Sequence, residues 1–137
     1  MKFEEIRTVV EDQLGINLKE KSRKKEYVEA RYIYFKLCMD YADKKTLSAI
    51  GDSLHKDHAT VLHGLRSVND WMLYDITLLH QYEDLHKFLM KMSKAKKEKH
   101  SLYFSLAKKM HKISGKLKKL EKKIQQYEKT IWSTLYN

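Results

Sequence analysis

The chain has 137 residues, no proline, four glycines, 34% charged residues and a formal net charge of +10. That length suits one compact domain with an extended element and excludes most multi-domain enzymes. Without the residues that β and α/β folds need at their turns, the chain is expected to be all-α, and a pI near 9.5 directs attention to nucleic acid, anionic membrane or acidic protein as partners.

Ile6, Val9, Val10 and Leu14 recur at helical spacing and stop at Gly15, a C-terminal cap, which predicts a first helix of about three turns. A polar segment over 17–25, ending in Arg23-Lys24-Lys25, reads as a basic loop. The second helix carries Val28, Ile33, Phe35, Leu37 and Cys38 and runs to Tyr41. Cys38 is the sole cysteine, so an intramolecular disulfide is excluded, and its apolar setting predicts a small buried hydrophobe in a reducing compartment. After a polar break, Thr46 is placed to cap a short third helix over 47–54 with Leu47, Ile50 and Leu54 inward. A second break, His55-Lys56-Asp57, precedes a fourth helix that starts at Asp57 or His58 and turns Val61, Leu62, Leu65 and Val68 to one side. Two short helices joined tightly make up the helix-turn-helix plan, in which the second helix enters the major groove.

The residues of this segment are more specific than the plan. Leu47-Ser48-Ala49-Ile50-Gly51-Asp52-Ser53-Leu54, followed by Lys56-Asp57-His58-Ala59-Thr60-Val61-Leu62-His63, resembles the signature of the C-terminal DNA-binding domain of the bacterial replication initiator DnaA. In that family S-L-x-x-I-G-x-x-F leads into R-D-H-T-T-V-L-H-A. Ala30-Arg31-Tyr32-Ile33-Tyr34-Phe35-Lys36-Leu37 is similar to the family's A-R-Q-I-A-M-Y-L helix, and Arg23-Lys24-Lys25 falls at its basic loop; the resemblance covers roughly residues 3 to 69. It implies that Arg23, Lys24 or Lys25 reaches a minor groove while Lys56, Asp57, His58 and Thr60 lie at the major-groove edge. Arg31 and His63 would contact phosphate or support the helix. The chemistry agrees, since lysine donates to guanine, aspartate accepts from cytosine and a threonine methyl packs on thymine. Each has a plainer reading: Asp57 as a helix cap, His63 as packing, the Arg23 run as a solvated loop. Two departures stand out. The family's G-x-R is here His55-Lys56, one residue shorter and without the arginine fork, and the first threonine of the T-T pair is Ala59. The implied geometry is the family's, but its recognition sequence is not expected.

From Tyr103 the apolar positions Leu106, Met110, Ile113, Leu117, Leu120, Ile124, Tyr127 and Ile131 follow alternating steps of three and four, an a/d seam of about four heptads. With Tyr103 at a, Lys116 would meet Glu121 and Lys123 would meet Glu128 across a parallel, in-register homodimer, while Gly115 falls at an outward position. Met92, Leu89, Leu85, Tyr82, Leu78 and Trp71 keep the same frame, interrupted by Asp75, Lys96 and Lys99. Two geometries follow: one helix from about His58 or Val68 to the end, favoured by the retained phase, or a hairpin turning over Ser93–His100, favoured by Leu73, Ile76, Leu79, Phe88 and Met90, which widen the first stripe; the extended helix is the reading preferred. The expected division is a DNA-binding domain over 1–69 and a helical coiled-coil oligomerisation region over 70–137.

Residues 1–68 carry a net charge of +2 and residues 69–137 a net charge of +8, the latter entirely from lysine. The tail is then either a solvated coiled-coil exterior or a stripe that binds phosphates without reading sequence. Seven histidines include no pair at i, i+4, so no metal or other cofactor is expected. No G-x-x-x-x-G-K-[ST] loop or nucleophile motif is present, and enzyme activity has no positive support. Glu4 and Glu5 sit where a signal peptide would be basic, and no run of about 18 apolar residues occurs, so a cytoplasmic protein is expected. Together these features predict a sequence-specific reader of double-stranded DNA, a replication accessory or transcriptional regulator of the kind a phage or mobile element encodes. The alternative is a nucleoid-type protein that holds DNA or an acidic protein through its lysines.

Overall fold

The computed structural model describes residues 1–136, which form five helices: α1 (Phe3–Leu14), α2 (Lys25–Tyr41), α3 (Leu47–Asp52), α4 (His58–Trp71) and α5 (Ile76–Tyr136). No strand occurs among the described residues, so the fold is all-α. The chain divides into two compact units between Lys94 and Ala95.

In the first unit α2 is the central helix, packed against α1, α3 and α4. Its buried residues Ala30, Ile33, Tyr34, Phe35, Leu37 and Cys38 surround much of its circumference, because neighbours cover it on several sides. α1 lays Ile6, Val9 and Val10 into this core and ends where expected, at Gly15, whose φ of 65° lets its N–H reach Glu11 O at 2.8 Å. α3 starts at the expected cap, with Thr46 Oγ1 accepting from Ala49 N at 3.2 Å. It stops at Asp52, two residues short of the expected Leu54, and Leu54 enters the core from the turn. Ser53 Oγ donates to Ile50 O at 2.6 Å, so the buried Tyr34 hydroxyl, 2.7 Å away, donates to Ser53 and ties the turn to α2.

The expected helix running from His58 or Val68 to the end is interrupted. α4 closes at Trp71, and Asp75 restarts the chain by accepting from Leu78 N at 3.1 Å. The early part of α5 then belongs to the first unit. Leu78, Leu85 and Leu89 are at most 1% exposed. Tyr82 donates to Asp40 Oδ2 at 2.9 Å, and the Tyr41 hydroxyl meets His86 Nδ1 at 3.0 Å, fastening this stretch to the end of α2. The compact unit therefore extends 25 residues past the expected boundary at 69/70, because the apolar face of 78–89 completes its core.

Residues 95–136 of the second unit are helical throughout and all exposed. Ser93–His100 is helical, so the turn required by a hairpin is absent.

Candidate nucleic-acid interface

α3 passes to α4 through Ser53–Asp57. Gly51 O receives both Leu54 N at 3.0 Å and Lys56 N at 2.9 Å, which reverses the chain within one turn. His55, standing where the resembling family has glycine, is left-handed at φ 56° and pays the Cβ strain that glycine avoids. The following residue in the chain but one, Asp57, is the N-cap of α4, its carboxylate accepting from Thr60 N at 2.8 Å. Hydrogen bonds from the Thr60 side chain and backbone hold the Asp57 carboxyl below its ordinary range.

This cap decides what the recognition turn presents. Asp57, His58 and Ala59 are exposed and Lys56 and Thr60 half-exposed, while Val61, Gly64 and Val68 face the core. Gly64 permits the docking: a methyl there would stand 2.7 Å from Tyr32 Cδ1. Tyr32 in turn stacks on Trp71, with centroids 5.5 Å apart, and meets His63 edge-on at 6.1 Å. His63 is exposed six residues beyond the cap and lies 3.4 Å from Ser67 Oγ, so it combines packing with access to the surface.

The basic loop is built from below. Arg31 is only 8% exposed, and its guanidinium donates from Nη1 to Glu20 O at 3.1 Å and from Nη2 to Ser22 O at 2.6 Å. Two backbone carbonyls of the loop are thereby fixed on α2, and Arg23, Lys24 and Lys25 project from the ordered strap into solvent. The Arg31 side chain lies beneath the loop rather than on the surface, and what it holds is the loop, not the recognition helix. Arg23 and Lys25 adjoin Trp71 at the far end of α4. Since α4 has 14 residues, the two basic clusters stand about 20 Å apart along its axis.

One residue escaped the sequence reading. Arg66 is exposed on α4, three positions after His63 and seven after Ala59, and makes no ion pair among the described residues. Helical spacing alone places it on the face of Ala59, Leu62 and His63; the signature that drew attention to the segment ended before it.

Elsewhere, no group of three His, Cys, Asp or Glu among the described residues is arranged to hold a metal ion, and no helix is long and apolar enough to cross a membrane. Residues 95–137 hold 12 lysines against three glutamates. The seam side chains from Tyr103 to Ile131 are 45% to 70% exposed. Beside the seam, one lane carries Lys109, Lys116 and Lys123 and the other Glu121 and Glu128.

Comparison with known proteins agrees with the first unit. Residues 3–68 match the family model described as the bacterial dnaA protein helix-turn-helix. The chain is also similar to the chromosomal replication initiator protein DnaA of Bacteroides thetaiotaomicron, with 39% identity over 72 residues. That alignment covers 52% of this chain and 15% of the relative's length.

Proposed function

We propose that this protein, whose residues 3–68 are a bacterial DnaA-type helix-turn-helix domain, binds double-stranded DNA sequence-specifically and acts as a replication accessory or transcriptional regulator. The start of α4 enters a major groove, where Lys56, Asp57, His58 and Thr60 meet base edges, with His63 and Arg66 facing the flanking backbone. The loop held by Arg31 offers Arg23, Lys24 and Lys25 to the adjacent minor groove. The observation that carries this reading is the Asp57 cap, which leaves the exposed first turn of α4 as a preorganised surface while its other face is buried. Asp57 can serve as cap and base contact together, because one carboxylate oxygen accepts from Thr60 N and a carboxylate has further lone pairs to offer.

The exposed seam over 103–131 supports pairing with a second copy in parallel register. In that register each lysine at 116 and 123 faces a glutamate at 121 or 128, whereas antiparallel packing would set the lysine lanes against each other. Two linked readers raise the effective concentration of the second on DNA once the first is bound.

Selection of binding sites from random duplex DNA at moderate salt tests the reading. An enriched motif is expected, with affinity for it reduced by Lys56→Ala and His58→Ala, each by about 1–3 kcal/mol. Absence of a motif, together with unchanged affinity in the double variant, refutes it. That result would leave the lysine-rich helix as a phosphate-binding element, a second reading favoured by the net charge of +9 over residues 95–137.

A further inference from the structure

A cleft of about 740 Å³ opens in the first unit between the start of α2 and the joint of α4 with α5. Its volume falls in the ~300–1,000 Å³ range of small-ligand sites. Val28 and Ile76 give it aliphatic walls, Trp71 and Tyr74 aromatic ones, and Arg23 and Lys25 a cationic rim.

Three features point to the kind of ligand. Trp71 is stacked on Tyr32 through one side of its indole, yet the residue remains 38% exposed. Tyr74 is 90% exposed, and its ring and hydroxyl have no partner among the described residues. Arg23 makes no ion pair there either. The two carboxylates of the cleft are already engaged within the fold: Glu29 lies 3.6 Å from Lys25 Nζ, and Asp75 caps α5. Lys25 is held by Glu29 in return, so Arg23 is the cation of the lining that has no ion-pair partner among the described residues, and it borders the exposed parts of Trp71 and Tyr74. A ligand complementary to that surface carries an anionic group next to a flat, neutral ring.

We propose that this cleft, when its rim is not engaged by a duplex, takes an unpaired base of single-stranded DNA against Trp71 and Tyr74 and the adjoining phosphate on Arg23. Aromatic platforms beside cations bind single strands through stacking that tolerates any base. An acidic peptide would bring several carboxylates towards Glu29 and Asp75, whereas a nucleotide presents a neutral face to that part of the cleft. The site lies about 20 Å from the recognition turn along α4, and because the duplex reading gives Arg23 to the minor groove, a strand in the cleft and that groove exclude one another. The choice of nucleic acid rests on the duplex-binding reading; the lining of the cleft does not.

The test uses the full chain with Trp132→Phe, which leaves Trp71 as the only tryptophan. Titration with a short oligothymidylate is expected to quench indole emission, and an abasic strand of equal length to bind more weakly without quenching. Tyr74→Ala should weaken oligothymidylate binding about tenfold, within the range for one base stack, with Tyr74→Phe restoring it and blunt-duplex affinity unchanged in both. Equal binding of thymidylate and abasic strands, or no effect of Tyr74→Ala, overturns the proposal. So does quenching by an acidic aromatic peptide but not by oligothymidylate, which would assign the cleft to a protein partner. If oligothymidylate quenches and Tyr74→Ala weakens it while blunt duplexes are not bound at all, the duplex reading fails and the cleft stands.

Discussion

Leu85→Ala separates two views of the early part of α5. If residues 76–92 were a free amphipathic helix, the substitution would be neutral or slightly favourable, because alanine is the better helix former. In the structure Leu85 is 1% exposed and its neighbours on the same face, Leu78 and Leu89, are at most 1% exposed. Truncation there removes three carbons, Cγ and its two methyls, from a packed core and leaves a cavity, a change that costs about 2–5 kcal/mol. Against a total stability of about 5–15 kcal/mol for a domain, such a loss is large. Taking about 3 kcal/mol and a urea slope of about 1.5 kcal/mol per M, the unfolding midpoint falls by about 2 M. Trp71 emission in the Trp132→Phe background follows the first unit without interference from the distal helix, and Leu117→Ala, at a position 55% exposed, is the matched control at low protein concentration. A midpoint within about 0.3 M of the parent would refute the claim that α5 completes the core.

His55→Gly is expected to stabilise the first unit by about 1 kcal/mol, because φ 56° strains any residue bearing a Cβ; a lower thermal midpoint would show that the His55 side chain compensates in some other way. Asp57 gives a pH dependence with a definite sign. Its folded carboxyl lies below the ordinary value of 3.8, so its contribution is complete above that value and is lost as pH falls through the lower, folded one. Asp57→Asn should therefore flatten the acid limb of the stability profile, measured by circular dichroism, and an unchanged limb would remove the cap from the account. Lys116→Glu with Lys123→Glu should dissociate the proposed parallel pair, and mixing with a chain carrying Glu121→Lys and Glu128→Lys should restore a heterodimer by light scattering. Recovery of mass without the partner chain would refute the register.

The elements that were legible in the sequence are those with chemical punctuation. Gly15, Thr46 and Asp57 each end or begin a helix through one backbone or side-chain hydrogen bond, and each marks its boundary. Asp75 does the same work for α5, yet it sits inside a continuing apolar period and reads there as a mere interruption. The spacing of Leu78, Tyr82, Leu85 and Leu89 fits a coiled-coil seam and an intramolecular core face equally well, since both need one stripe at three- and four-residue steps. Only the presence of α2 beside that stripe distinguishes them. At the interface, polar residues on an exposed turn could be identified from their pattern, whereas the support given by Arg31 depends on loop carbonyls brought back from nine and eleven positions upstream. No local period encodes that return.

Cys38 has a practical consequence for probing the surface proposed to face DNA. It is the only cysteine in the sequence, it is 0% exposed, and burial pushes its thiol up to about 12. At neutral pH the native chain therefore presents neither a thiolate nor an accessible sulfur. A cysteine introduced at the exposed Ala59 position becomes the sole site for alkylation or for disulfide trapping with thiol-tethered DNA, and no native residue has to be removed first. Conversely, labelling of Cys38 itself reports the opening of the α2 core, so one reagent can count both capture of DNA at the surface and loss of structure beneath it.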